Sequence, residues 1–250
     1  MRLGGYTKLT LQDFPDRVAA ICFTLGCQLR CPYCHNADLV LSDGQHRSAE
    51  GEALTRTFLS YLRQRKTQLD GVVVSGGEPL LQQDILRFLH EIKDMGLAVK
   101  LDTNGLLPSK LRDLIQQDLV DYVAMDYKNC RRDLAATVGL DPSDDRGTAD
   151  SYYNNWWASL TCLRENKVPY EIRTTVVREL HPPDALRHMA ASIGESPKHC
   201  ERWFLQPFVR NGPVMCDGLQ NETNLSAYTD EEMQTIRMEL LTQAPGIQCR

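Results

Sequence analysis

Apolar positions along the chain follow two periods in alternation. Short, nearly continuous runs rich in β-branched residues read as buried strands, and the stretches between them repeat apolar residues every three or four positions, as amphipathic helices do. "RVAAICFTLG" (17–26) is the first run, and in "EALTRTFLSYLRQRKTQ" Leu54, Phe58, Tyr61 and Leu62 share one helical face. "GVVVSGG" (71–77) is a strand stopping at a glycine pair, and "LQQDILRFLHEIKDMG" is a helix with Gly96 as its stop. The cycle continues with "LAVKLDTNG" and a helix opening on Pro108, then "DYVAMDYK" and "YYNNWWASLTCLREN". "YEIRTTVV" (170–177) leads to "PPDALRHMAASIG", and "RWFLQPFV" (202–209) precedes the last helix, "DEEMQTIRMELLTQ" (230–243).

Six strand–helix units predict parallel strands joined by crossovers. A closed eight-fold barrel needs two more units, so the pattern predicts an α/β fold of the partial (β/α)6, TIM-like barrel type, with a doubly wound sheet as the alternative. No low-complexity linker divides the chain, which predicts a single domain with its core over about 17–210 and an extension over about 211–250. The most polar interruption, "NCRRDLAATVGLDPSDDRGTAD" (129–150), reads as a partly helical excursion ending in a loop.

Ligands of parallel α/β folds bind at the carboxyl ends of the strands. A cysteine triplet follows the first strand here, "SGGEP" ends the second, "DTNG" the third, "MDYK" the fourth and "QPF" the sixth. These strand ends predict one shared site.

The triplet, "GCQLRCPYCHN" (26–36), holds Cys27, Cys31 and Cys34. Thiolates are soft ligands that suit zinc or iron–sulfur clusters. Structural zinc needs a fourth ligand, and His35 lies directly beside Cys34, a poor spacing for joint ligation. Electron-transfer clusters normally take four cysteines, and none of Cys22, Cys130, Cys162, Cys200, Cys216 and Cys249 has a spacing that nominates it. Three ligands with an open position are instead the arrangement of a reactive site, and the spacing favours a three-cysteine [4Fe–4S] cluster over zinc or an accidental grouping. The remaining cysteines read as free thiols of a reducing compartment.

Composition narrows the function classes. With 42% hydrophobic and 24% charged residues over 250 positions, the chain is of ordinary soluble, globular type. A net charge of −5 opposes a nucleic-acid partner. No apolar run approaches the roughly 18 residues of a membrane span, and the opening "MRLGGYTKLTLQDFPDR" has no apolar signal core. A cytoplasmic protein with no membrane or nucleic-acid partner is expected.

C-x3-C-x2-C with an aromatic residue, Tyr33, before the last cysteine, followed after the second strand by "SGGEPLL" (75–81), resembles the radical S-adenosylmethionine (radical SAM) superfamily. "LTLQDFPDRVAAICFTLGCQLRCPYCHN", "SGGEPLLQ", "LDTNG", "MDYK" and "YEIRTTVV" are similar to the activating enzymes of glycyl-radical enzymes, in the branch named anaerobic ribonucleoside-triphosphate reductase activating protein. The similarity covers about residues 6–128 and 169–180 and fades after about 210. Asp16 departs from that branch, which more often carries glycine there; aspartate also suits turns, so a turn rather than the chemistry is altered.

The resemblance implies a [4Fe–4S] cluster on Cys27, Cys31 and Cys34 whose fourth iron is chelated by the amino and carboxylate groups of S-adenosylmethionine. A flavodoxin or ferredoxin supplies the electron, the carbon–sulfur bond cleaves homolytically, and the 5′-deoxyadenosyl radical takes hydrogen from a backbone glycine of a glycyl-radical enzyme. The lack of an inserted eight-cysteine ferredoxin domain fits the minimal form of these enzymes. Gly76 and Gly77 then admit the methionine end of the cofactor, a bare glycine pair being otherwise a tight turn, and Glu78 orients its ammonium group. Pro79 opens the next helix in either case. Asp102 and Asn104 contact the cofactor or a cation near its carboxylate, against the alternative of turn chemistry in "TNG". Asp126 and Lys128, on one side of their strand, form an ion pair or meet the cofactor's carboxylate, or are a buried structural pair. Arg173 faces away from Ile172, towards either the cofactor or solvent. Tyr33 stacks on or hydrogen-bonds the adenine. "YYNNWW" (152–157) reads as core packing, and His181 as a loop residue. Two other functions remain open. One is a small-molecule radical SAM enzyme, as 7-carboxy-7-deazaguanine synthase is, and the other a non-catalytic electron-transfer module.

Overall fold

The computed structural model describes residues 1–41, 48–140, 148–194, 202–218 and 224–250. Cys200 and positions 141–147 of the polar excursion lie outside them. Two compact units are present, one of residues 1–28, 38–124 and 156–169, the other of residues 29–37, 125–155 and 170–250.

In the first unit the strands β1 (Leu3–Thr10), β2 (Ala19–Thr24), β3 (Gly71–Gly76) and β4 (Ala98–Thr103) follow one another in chain order. β2, β3 and β4 are parallel, with Cys22 opposite Val74 and Val72 opposite Val99. β1 is antiparallel to β2, with Tyr6 opposite Cys22. The apolar runs give β2 to β4 as expected. They do not give β1, whose "LGGYTKLT" carries two glycines and buries fully only Leu3, the profile of an edge strand. Helices α2 (Ser48–Arg65), α3 (Ile85–Lys93) and α4 (Pro108–Gln116) occupy the predicted segments. α3 buries Ile85, Phe88, Leu89 and Ile92 on one stripe, and the Tyr6 ring on β1 meets Phe58 of α2 at 5.1 Å.

One apolar cluster of this unit contains Phe14, Ala19, Ile21, Val73, Ala98 and Tyr122, with Phe23 packed on it. Ala19 and Ala98 open their strands, as Tyr122 opens β5 (Tyr122–Asp126). The cluster therefore fills the amino-terminal end of that sheet face. Period-two alternation then brings Lys100 and Asp102 onto the same face at its carboxyl end.

The second unit holds β6 (Tyr170–Val176), β7 (Trp203–Pro207) and β8 (Ile247–Cys249), again parallel, with Ile172 opposite Trp203 and Trp203 opposite Ile247. α7 (Pro183–Gly194) and α8 (Asp230–Leu240) are where the periodicity puts them, and α8 opens on a Thr229–Glu232 capping box. β8 is too short for a periodic signal. The excursion is partly helical, as expected, through α5 (Leu134–Val138). α1 (Ala37–Val40) follows the cysteine loop, and α6 (Ala149–Asn166) carries "YYNNWW", burying Tyr152 and Trp156.

Asp16 has φ of 57°, a left-handed backbone that disfavours side chains branched at Cβ. This accounts for glycine at that position in the branch the sequence resembles. Asp16→Val is expected to lose about 1–2 kcal/mol, whereas Asp16→Gly stays within about 1 kcal/mol of the parent because gained backbone ease offsets unfolded-chain entropy. Urea unfolding decides, and a valine variant as stable as the parent removes the strain argument.

Candidate functional site

In the first unit the site begins at the end of β3. Gly76 has φ of 115°, and a Cβ there would stand 2.2 Å from the Thr24 nitrogen. A Cβ on Gly77 would stand 2.1 Å from the Gly26 carbonyl oxygen. The Gly77 and Glu78 amides donate to the carbonyls of Thr24 (3.0 Å) and Gly26 (2.8 Å). The glycine pair is thus required by the chain's own backbone, the segment running into Cys27, before any cofactor approaches.

Glu78 is fully buried. Its Oε1 accepts from the Leu80 amide (3.0 Å) and the Thr103 hydroxyl (2.8 Å), and its Oε2 from the Asn104 amide (2.8 Å). The carboxylate ties the end of β3 to the end of β4. Asn104 carries the connection onward: its Oδ1 accepts from Gln28 at 3.2 Å, and its Nδ2 lies 3.9 Å from the Cys27 sulfur. Asp102 meets the Lys100 ammonium at 2.6 Å, and Lys100 is only 2% exposed. Sequence reasoning passed over Lys100; the available signal was a charge on an otherwise apolar strand, in phase with Asp102.

In the second unit Cys31 is buried and Cys34 half-buried, joined by a turn in which the Cys34 amide donates to the Cys31 carbonyl at 3.0 Å. Two segments without assigned chemistry seat this loop. From the excursion, the Val138 carbonyl accepts from the Arg30 amide at 3.0 Å. Gly139, at φ 64°, lies so close that a Cβ would meet the Arg30 oxygen at 2.1 Å. From the carboxyl-terminal stretch, the amides of Cys216 and Met215 donate to the carbonyls of Pro32 and Cys34, both at 3.0 Å. The His35 ring stacks on Phe208 at 5.5 Å and 15°.

Tyr33, buried between the two cysteines, meets the His181 ring at 6.4 Å and 74° and has the Lys128 ammonium 5.9 Å from its centroid. Asp126 accepts from Lys128 at 2.9 Å and from Arg173 at 3.3 Å. Arg173 is 19% exposed and turned to this carboxylate rather than to solvent. Burial works to raise the Asp126 carboxyl, but the Lys128 and Arg173 charges outweigh it and hold it below its ordinary value. Burial works against the Lys128 ammonium too, yet Asp126 first, then Tyr33 and Cys31, keep it well above its usual range. Burial raises the Tyr33 phenol and pushes the Cys31 thiol up to about 11 against the pull of Lys128, so a metal bound there would have to displace a proton.

The donor set suits a cluster. Cys27, Cys31 and Cys34 are outside any disulfide, so their thiols can serve as soft metal donors. A lone zinc draws every sulfur to about 2.3 Å from one point, whereas a cluster spreads its cysteines over separate irons and is tuned by hydrogen bonds to sulfur.

The radical SAM superfamily matches residues 21–189. A putative glycyl-radical enzyme activating enzyme of Methanocaldococcus jannaschii is 30% identical over 207 residues, 82% of this chain and 79% of that protein. A pyruvate formate-lyase-activating enzyme of Staphylococcus aureus is 41% identical over 86 residues, 34% of each chain. Among solved structures, Streptococcus suis SuiB bound to S-adenosylmethionine matches 92% of this chain and 49% of its own at a TM-score of 0.62 and 13% identity. Archaeal TYW1 matches 90% of this chain and 72% of its own at 0.55 and 14%. These structural likenesses establish the α/β radical SAM fold, the partial barrel that the strand–helix pattern predicts. The cofactors of this superfamily are a [4Fe–4S] cluster and S-adenosylmethionine. The chain belongs to the radical SAM superfamily, among the glycyl-radical-enzyme activating enzymes.

Proposed function

We propose that this chain installs a glycyl radical on anaerobic ribonucleoside-triphosphate reductase, taking its electron from a flavodoxin or ferredoxin. The observation that carries the reading is the similarity to an activating enzyme over 82% of the chain. The resemblance of "LTLQDFPDR" through "YEIRTTVV" to the reductase-activating branch supports the reductase as the partner. In this proposal Cys27, Cys31 and Cys34 hold the cluster. Bound together, cluster and S-adenosylmethionine supply one-electron cleavage of a carbon–sulfur bond and an abstractor of hydrogen. Gly76, Gly77 and Glu78 shape the methionine end, with Asp102 and Asn104 beside it. Tyr33 faces the adenine. Asp126, Lys128 and Arg173 are one carboxylate between two cations, a net positive group suited to the cofactor's carboxylate. Among the described residues no helix is long and apolar enough to cross a membrane.

Anaerobic reconstitution with S-adenosylmethionine, a reductant and the reductase of the same genome is expected to yield 5′-deoxyadenosine and a glycyl-radical doublet by electron paramagnetic resonance. Should 5′-deoxyadenosine form while no glycyl-radical protein of the organism responds, a small-molecule substrate replaces the protein one. An intact cluster giving no 5′-deoxyadenosine points to electron transfer alone.

A further inference from the structure

His181 belongs to none of the groups assigned above, yet it is fully buried and both of its ring nitrogens are engaged. Nδ1 accepts from the Val177 amide at 3.1 Å. That bond leaves the ring proton on Nε2, which donates to the Lys128 carbonyl at 2.7 Å. The His181 amide donates to the Val177 carbonyl at 2.8 Å, so ring and backbone close the same turn after β6. Beside it, Asn129 Nδ2 donates to the Leu180 carbonyl at 2.8 Å. The ring also stands nearly perpendicular to Tyr33, and the Tyr228 hydroxyl donates to the His181 carbonyl at 3.1 Å.

A hydrophobic residue would fill this volume without the cost of burying a polar ring. Histidine is repaid only because each nitrogen has a partner of the right sense. Those partners are the backbone of Lys128 and the turn that ends β6. Burial holds the imidazole below its ordinary pKa, which keeps it neutral with one donor and one acceptor. Lys128 in turn places its ammonium between Asp126 and the Tyr33 ring.

We propose that His181 is a positioning residue for S-adenosylmethionine binding, fixing the Lys128 backbone through its Nε2–H and the Tyr33 ring through direct contact. The proposal rests on the reading that Tyr33 and Lys128 meet the cofactor. In His181→Gln the longer amide reaches the Lys128 carbonyl; in His181→Asn the shorter one keeps the Val177 bond and loses Lys128.

The test uses cluster-loaded full-length protein, with affinity for S-adenosylmethionine read from the ligand-induced change in the spectrum of the reduced cluster. Iron content and thermal midpoint are measured alongside. His181→Gln is expected to bind within about threefold of the parent, and His181→Asn about tenfold more weakly at equal iron content. Folded, loaded His181→Asn that binds like the parent overturns the proposal, as does an equal loss in both variants. Lys128→Met and Tyr33→Leu separate the two readings. Normal binding by both overturns the cofactor-site reading and this proposal with it. Weakened binding by either, alongside normal binding by His181→Asn, overturns the role of His181 alone.

Discussion

Cys31→Ala protein, reconstituted anaerobically, is expected to fold and to release no measurable 5′-deoxyadenosine. The substitution removes one sulfur from a buried position, at a cost to stability of about 1 kcal/mol. It spares what seats the loop, because the bonds at Arg30, Pro32 and Cys34 all run through backbone atoms. It does not spare the cluster. No other cysteine has the spacing to replace Cys31, and a cluster short of a protein ligand has lost one of three anchors. Iron and sulfide content should fall with it, and the rate of 5′-deoxyadenosine formation should drop by more than about a hundredfold, since even outer partners of a metal site are worth 10–100-fold. Near-parental iron content with cleavage within about tenfold of the parent would remove Cys31 from the cluster.

How much of this was legible in the sequence follows from the kind of signal each element carries. Buried strands are rich in apolar and β-branched residues, so β2 to β7 show themselves even where, as in β6, polar residues interrupt the run, while β1 is hidden by its glycines and its exposed face. The cysteine triplet is legible because soft donors at close spacing have few other uses. Residues whose meaning depends on a distant partner are visible as types but not as roles. Glu78 needs Thr103 and Asn104, 25 and 26 residues on, and the orientation of Arg173 is settled by Asp126, 47 residues earlier. His181 reads as a loop residue because its partners are a backbone carbonyl and a backbone amide, which no residue pattern encodes. Much the same holds for the excursion and the 207–218 stretch, which reach the cysteine loop through main-chain atoms and one close-packed glycine, with the ring of Phe208 on His35 the added side-chain contact. Lys100 left a trace, a charge inside an apolar run, whose significance appears only with its burial beside Asp102.

Glu78→Gln should lower the stability of the chain before any cofactor is added, by about 2–3 kcal/mol. The change is isosteric, so no cavity forms; what changes is the sense of one atom. Glu78 accepts from two backbone amides and one hydroxyl. If the glutamine oxygen takes the Oε2 position, its NH2 faces the Leu80 amide, and the Thr103 hydroxyl can adapt by rotating. If the oxygen takes the Oε1 position, the NH2 faces the Asn104 amide. Either way a buried donor points at a donor, and neither backbone amide can turn away. For a chain of this size the loss corresponds to roughly 4–12 °C in the thermal midpoint. Because Asn104 leads on to Gln28 and the Cys27 sulfur, iron retention should fall as well. A glutamine variant with the parental midpoint and iron content, impaired only in S-adenosylmethionine affinity, would show that Glu78 acts on the cofactor and not as the tie between β3 and β4.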